Sequence, residues 1–311
     1  MLRYLVFAFL CLVWGTTWVA IKISLEGLPP FLGASFRFTI ALFLLAVYLL
    51  AKKISLKLPK KDLIIISISA FLMYTIDYGL IYWGEQYLSA GVTSIFFATF
   101  PLFTGILAIF LFKNEDFSWN KFTGLLLGLV GVTIVFLDQL LLTEFDTQVM
   151  LGSVAIIIGA AGGALSVVLI KKYLSSIHPV TLSFYQMLQG IIFLYVIGFS
   201  LESSREIVLS PRVIFSVIYL GAVGSALAFA LYYWLLQKWS AISLSLIIYI
   251  IPLVALLMDY LILSEVIHPR AVAGMFIIFS GIASVQLDRD RLHKVINRLK
   301  RKRQKKTERS K

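Results

Sequence analysis

Residues 81–102 read IYWGEQYLSAGVTSIFFATFPL, and residues 233–253 read YWLLQKWSAISLSLIIYIIPL. The second stretch repeats the first at a shift of 151 positions. Tyr82, Trp83, Gln86, Ser89, Ala90, Ser94, Pro101 and Leu102 recur as Tyr233, Trp234, Gln237, Ser240, Ala241, Ser245, Pro252 and Leu253. After one deleted position, Gly124, Gly131 and Asp138 recur as Gly274, Gly281 and Asp288. The chain is two versions of one unit. A duplicated membrane unit can rock about a site between its halves.

Composition fixes the class. Apolar residues are 60% of the 311 positions and charged residues 14%, against about 45–50% and 25% in soluble domains. The single Cys11 excludes a disulfide framework within one chain. No zinc spacing, phosphate-binding glycine loop or nucleophile elbow is present, so no metal, cofactor or catalytic residue is expected. The net charge of +12 gathers in loops and the last residues. It reads as membrane topology rather than nucleic-acid binding.

A span needs about 20 apolar residues. Ten segments qualify, at roughly 4–24, 30–51, 63–84, 89–112, 119–138, 149–171, 179–200, 211–236, 240–263 and 268–288. The expected fold is an all-α membrane protein with ten transmembrane helices. Residues 1–138 form the first five-helix repeat and 139–148 an external linker. Residues 149–288 form the second repeat and 289–311 a basic cytoplasmic tail. Before the tail, 11 lysines and arginines fall on the side of the N-terminus and 4 on the other. The positive-inside rule then puts both termini in the cytoplasm of a multi-pass cell-membrane protein. Five spans per unit is an odd number, so the two repeats must be inverted. In the tail, Leu292, Val295, Ile296 and Leu299 share a helical face amid basic residues. An amphipathic helix on anionic lipid and a disordered basic anchor both fit that pattern.

Several of these residues together resemble the EamA-type domain of the drug/metabolite transporter superfamily. They are Tyr87 with Ser89–Gly91, Pro101, Glu115, Gly124 and Gly131, matched by Ser240, Ala241, Pro252, Glu265, Gly274 and Gly281. The opening run Trp14–Trp18 and Arg37 add to the likeness. The resemblance implies ten helices, cytoplasmic termini and transport of small metabolites, often export. It does not imply a substrate.

Polar stripes mark candidate cavity walls. Tyr74, Asp77, Tyr78, Ile81, Tyr82 and Glu85 share one face of the third span. An aspartate in hydrocarbon costs roughly 2.5–3.5 kcal/mol on insertion scales, so it faces a cavity or a partner. The alternative for Tyr82, Trp83 and Tyr87 is an interfacial aromatic belt. Trp14, Thr17, Trp18 and Lys22 share a face of the first span. Pro101 and Pro252 each free a carbonyl mid-membrane, for a ligand or for a kink alone. Glycines of the sixth span make room for a ligand or let helices touch.

The expected substrate cavity is Trp14, Trp18, Tyr74, Tyr78, Phe97, Pro101, Ser225, Phe229, Tyr249 and Pro252. Asp77 is the expected proton-coupling group, and Arg37–Asp77 the first ion pair to expect at that depth. Lys22 either joins them or snorkels outward. The expected function is secondary active export of small amphipathic metabolites, such as amino acids, by alternating access. Antiport of phosphorylated or nucleotide-linked sugars is the alternative, and a non-transporting scaffold or enzyme is the reading from another class. The expected partners are a small-molecule substrate and lipid, with the chain a monomer or weak homodimer.

Overall fold

A computed structural model describes residues 1–112, 118–254 and 269–286. Glu115, Asp259, Glu265, Asp288 and the tail at 289–311 lie outside the described residues. Among the described residues there is no strand, and ten apolar helices follow one another. They are α1 (Leu2–Ser24), α2 (Pro30–Ala51), α3 (Lys60–Glu85), α4 (Ala90–Leu111) and α5 (Trp119–Val135), then α6 (Thr147–Tyr173), α7 (Pro179–Leu201), α8 (Pro211–Lys238), α9 (Ala241–Val254) and α10 (Pro269–Gln286). Seven are long and apolar enough to cross a membrane, while α5, α9 and α10 are shorter. The chain is a multi-pass membrane protein.

The helix starts follow from local chemistry. Ser89 and Ser240, one repeat apart, are the N-caps of α4 and α9, and their hydroxyls accept from the amides of Val92 and Ser243. Asp146 caps α6 and Ser210 caps α8 in the same way. Pro30, Pro179 and Pro211 occupy the first turns of α2, α7 and α8, where a missing amide costs nothing. The start of α2 also takes an acid from elsewhere in the chain. Glu202, just past α7, accepts from the amides of Phe31 and Leu32 at 3.2 and 3.0 Å. Burial pushes its carboxyl above the usual range, while those two amides and Arg205 pull the other way.

Two helices are not α-helical throughout. Phe71–Tyr78 in α3 and Ala222–Leu227 in α8 wind as π-helix, and the second segment begins 151 residues after the first. The period of 3.6 read from the sequence does not hold across them. In α4 the chain breaks at Ala98 and Thr99 and resumes at Phe100, with Pro101 in the new first turn.

Glycines set the closest crossings. A Cβ on Gly124 would stand 2.6 Å from the carbonyl oxygen of Gly281, and one on Gly281 would stand 2.5 Å from that of Gly124. Gly131 and Gly274 face each other similarly, at 2.9 and 2.8 Å. α5 and α10 therefore meet backbone to backbone at two points. In α6, Gly159, Gly162 and Gly163 receive Ile76 and Asp77 of the α3 π segment. Of the two sequence readings for these glycines, helix contact is the one seen.

Overpacking a tight site costs typically 1–3 kcal/mol. Gly281→Ala is expected to destabilise the protein by about that amount, since the carbonyl it meets belongs to the backbone and cannot rotate away. A thermal unfolding midpoint in detergent equal to the parent's would refute the seam as a tight contact.

Candidate functional site

A cavity of about 70 Å³ lies where α1, α3, α4, α6, α8 and α9 meet. α1 supplies Trp14, Thr17, Trp18 and Ile21. Met73, Asp77, Tyr78 and Ile81 come from α3, and Phe97 and Phe100 from α4. Val167 belongs to α6, Phe229 and Tyr232 to α8, and Ile247, Ile248 and Ile251 to α9. Seven of these are aromatic and one is charged. The volume is well below the roughly 300–1,000 Å³ of drug-sized sites, so the cavity in this conformation suits a small solute.

The rings brace one another. Trp14 meets Phe229 and Tyr232 at centroid distances of 5.9 and 5.2 Å, and Trp18 meets Phe97 edge-on at 5.4 Å. Such offset and edge contacts contribute about 0.5–1.5 kcal/mol per pair beyond burial. Asp77 is 2% exposed, and its Oδ1 has no hydrogen-bond partner. A Cβ on Gly163 would reach within 2.3 Å of its Oδ2. The carboxylate thus lies between the cavity and the glycine face of α6.

Trp14, Trp18, Tyr78, Phe97 and Phe229, all expected at the site, line the cavity, as does Asp77. Tyr74, Pro101, Ser225, Tyr249 and Pro252 do not. Tyr74 is fully buried against Phe38 and Phe229. Met73, Asp77, Tyr78 and Ile81 are the residues of α3 that line the cavity. Pro101 is buried within α4. Tyr249 sits in a separate apolar cluster, its ring over Gly128 and its hydroxyl donating to the Leu125 carbonyl. Pro252 borders a groove outside the cavity, with Thr16 and Phe215. Met73, Phe100, Ile247 and Ile251 had no polar or aromatic stripe to announce them.

Arg37 is 1% exposed and makes no ion pair within 4 Å among the described residues. Its Nε donates to Ser225 Oγ at 2.7 Å and its Nη2 to the Gly224 carbonyl at 3.3 Å. The guanidinium lies 4.8 Å from the Tyr78 ring centroid and 5.1 Å from that of Phe38. The expected Arg37–Asp77 pair is absent, because Tyr78 and Tyr82 face α2 while Asp77 faces α6. Trp14 Nε1 also donates to the Gly224 carbonyl, at 3.2 Å. Gln186, which takes the place of Arg37 in the repeat, bonds Ser69 and the Tyr233 hydroxyl.

Lys22 does not snorkel away without a partner. Its ammonium donates to the carbonyls of Glu85 and Leu88 at 2.6 and 2.8 Å. Lys171, its repeat counterpart, donates to the Leu236 carbonyl at 2.7 Å. Each lysine caps the end of a helix that bears a π segment.

The family model for EamA-like transporters matches residues 1–137 and again 150–286. The chain belongs to the EamA-like transporter family. An uncharacterized transporter of Archaeoglobus fulgidus is 31% identical over 284 residues, covering 91% of this chain and 98% of the relative. Transporter YoaV of Bacillus subtilis is 26% identical over 87% of this chain and 92% of its own length. Protein PagO of Salmonella typhimurium is 30% identical over 83% of this chain and 84% of its own. A solved crystal structure with 18% identity superposes with a TM-score of 0.77 over 93% of this chain and 98% of that one, which shows a common fold. The protein is a membrane transporter, a non-enzymatic class.

The shared carbonyl of Gly224 yields a test of the site's wall. Trp14→Phe keeps the ring contacts and deletes one donor, so a loss of about 1 kcal/mol is expected in thermal unfolding of the detergent-solubilised protein. No loss would mean that Arg37 alone satisfies that carbonyl.

Proposed function

We propose that this transporter is a secondary active exporter of small amphipathic metabolites, such as amino acids or other amines, working by alternating access. The observation that carries the reading is the unpaired, buried Asp77 carboxylate in a cavity walled by seven aromatic rings. A positively charged group is attracted both to a carboxylate and to ring faces, and an apolar portion packs on the same rings. Among the described residues no lysine or arginine lines the cavity. Lys22 and Lys171 are engaged by carbonyls, and Arg37 lies behind Tyr78. That arrangement speaks against phosphorylated or nucleotide-linked sugars, which need cations facing them.

The same reading takes the ten helices as two inverted repeats in a cytoplasmic membrane. Its support is the reciprocal glycine contacts of α5 and α10, the paired π segments and the lysine asymmetry of the loops. Orientation is tested by thiol labelling of intact cells, where the native Cys11 is buried. Phe145→Cys should label from outside, and Lys57→Cys only after permeabilisation. Labelling of both from outside would end the inverted arrangement.

The coupling role of Asp77 is tested in proteoliposomes. A thermal-shift screen of the purified protein against amino acids and amines first finds a ligand, because binding to the folded state raises stability. Asp77→Asn should then abolish gradient-driven accumulation while sparing exchange of labelled for unlabelled ligand. Asp77→Glu should retain part of the coupling. Uphill transport by Asp77→Asn at the parental level would make Asp77 a structural residue.

A further inference from the structure

Four buried polar atoms without partners sit on three neighbouring residues outside the cavity. They are Arg37 Nη1, the Tyr82 hydroxyl and both carboxylate oxygens of Glu85. Glu85 and Tyr82 are 0% exposed. Tyr82 and Glu85 lie one turn apart on α3, and Arg37 faces them from α2, near the Tyr82 hydroxyl but outside good hydrogen-bond geometry with it. Buried polar atoms in folded proteins nearly always have a partner, so a cluster of orphans marks an occupant.

The surroundings say which occupant fits. α1 contributes Lys22, which lies within electrostatic reach of Glu85 but gives its hydrogens to backbone carbonyls. Ser24 of α1 faces Tyr82 and donates to the Ile21 carbonyl. α6 packs Gly152 and Ile156 against Gly84 at this end of α3, and α4 holds no titratable residue. Arg205 bonds the adjacent Gln86. Two cations beside the carboxylate repel a metal ion. The orphans comprise an N–H donor, a hydroxyl that does both, and two acceptors. Water satisfies that mixture, and a carboxylate beside internal water can take up a proton.

We propose that Arg37, Tyr82 and Glu85 hold internal water and that Glu85 is a second proton-binding site, separate from Asp77. The proton arrives from bulk water through the bound water and converts the carboxylate to the neutral acid, changing the charge of the cluster by one. Arg37 links the cluster to the cavity. Its remaining nitrogens hold Ser225 and the Gly224 carbonyl, which also takes Trp14, and its face rests on Tyr78. Trp14 and Tyr78 both line the cavity. A charge change at Glu85 therefore reaches the cavity wall through one residue. The proposal depends neither on the substrate nor on the role of Asp77.

Infrared difference spectroscopy of the purified protein during pH titration is the test, and needs no ligand. The expected result is a protonated-carboxyl band that persists at pH values where exposed carboxyls are ionised. It should move on isotopic labelling of glutamate carboxyls and in heavy water. It should survive in Asp77→Asn, vanish in Glu85→Gln and shift in Tyr82→Phe, which removes a water partner. Should Glu85→Gln fail to fold, the labelled wild type and Tyr82→Phe carry the same test. Any band from Glu202, the other buried glutamate among the described residues, whose two oxygens are held by amides, should remain in Glu85→Gln. A band insensitive to glutamate labelling, or lost entirely in Asp77→Asn, overturns the proposal and leaves Glu85 a fixed anion between Lys22 and Arg37.

Discussion

One carbonyl oxygen, that of Gly224, takes hydrogen bonds from α1 and α2 at once. A bilayer offers no water to a freed backbone group, so every such group needs a partner from the protein. This carbonyl lies in the π segment of α8, and Trp14 and Arg37 both donate to it. Three helices are joined there without any lysine–carboxylate pair. The buried guanidinium is held by a hydroxyl, a carbonyl and two ring faces. With Arg37 so engaged, Asp77 keeps no cationic neighbour, and the cavity keeps a lone carboxylate.

Packing follows the same division. The larger apolar cluster gathers α1, α3, α6 and α8 around the cavity. A smaller one holds α5, α10 and the Tyr249 side of α9. The first also carries glycine contacts, where α6 meets α3. The second closes on glycines. Several polar side chains are satisfied by backbone carbonyls, as with Lys22, Lys171 and Tyr249.

Much of this is legible in the sequence. The recurrence of Ser89 as Ser240 and of the glycines shows the repeat, and the structure makes these residues N-caps and the α5–α10 contact. Trp14, on the polar stripe of the first span, does border the cavity. The limits are equally physical. Nothing in the residue types announces a π segment, and one such turn is enough to move Tyr74 off a face and Met73 onto it. Charge alone pairs Arg37 with Asp77, but the pairing depends on rotation about α3, which the π turn resets. Lys22 and Lys171 are readable as a conserved slot, yet their partners are carbonyls, and carbonyls carry no sequence signal. Glu202 bonds the start of a helix some 170 residues away, and no local pattern points to it.

The glycine seam between α5 and α10 has a mechanical consequence. Two backbone contacts spaced along one crossing fix both the angle and the register of the pair, as two pins fix a plate where one pin leaves it free to swivel. Side-chain contacts can yield by changing rotamer, but a carbonyl set against a glycine cannot. If helices move relative to one another, α5 and α10 resist parting and move as a single stiff strut.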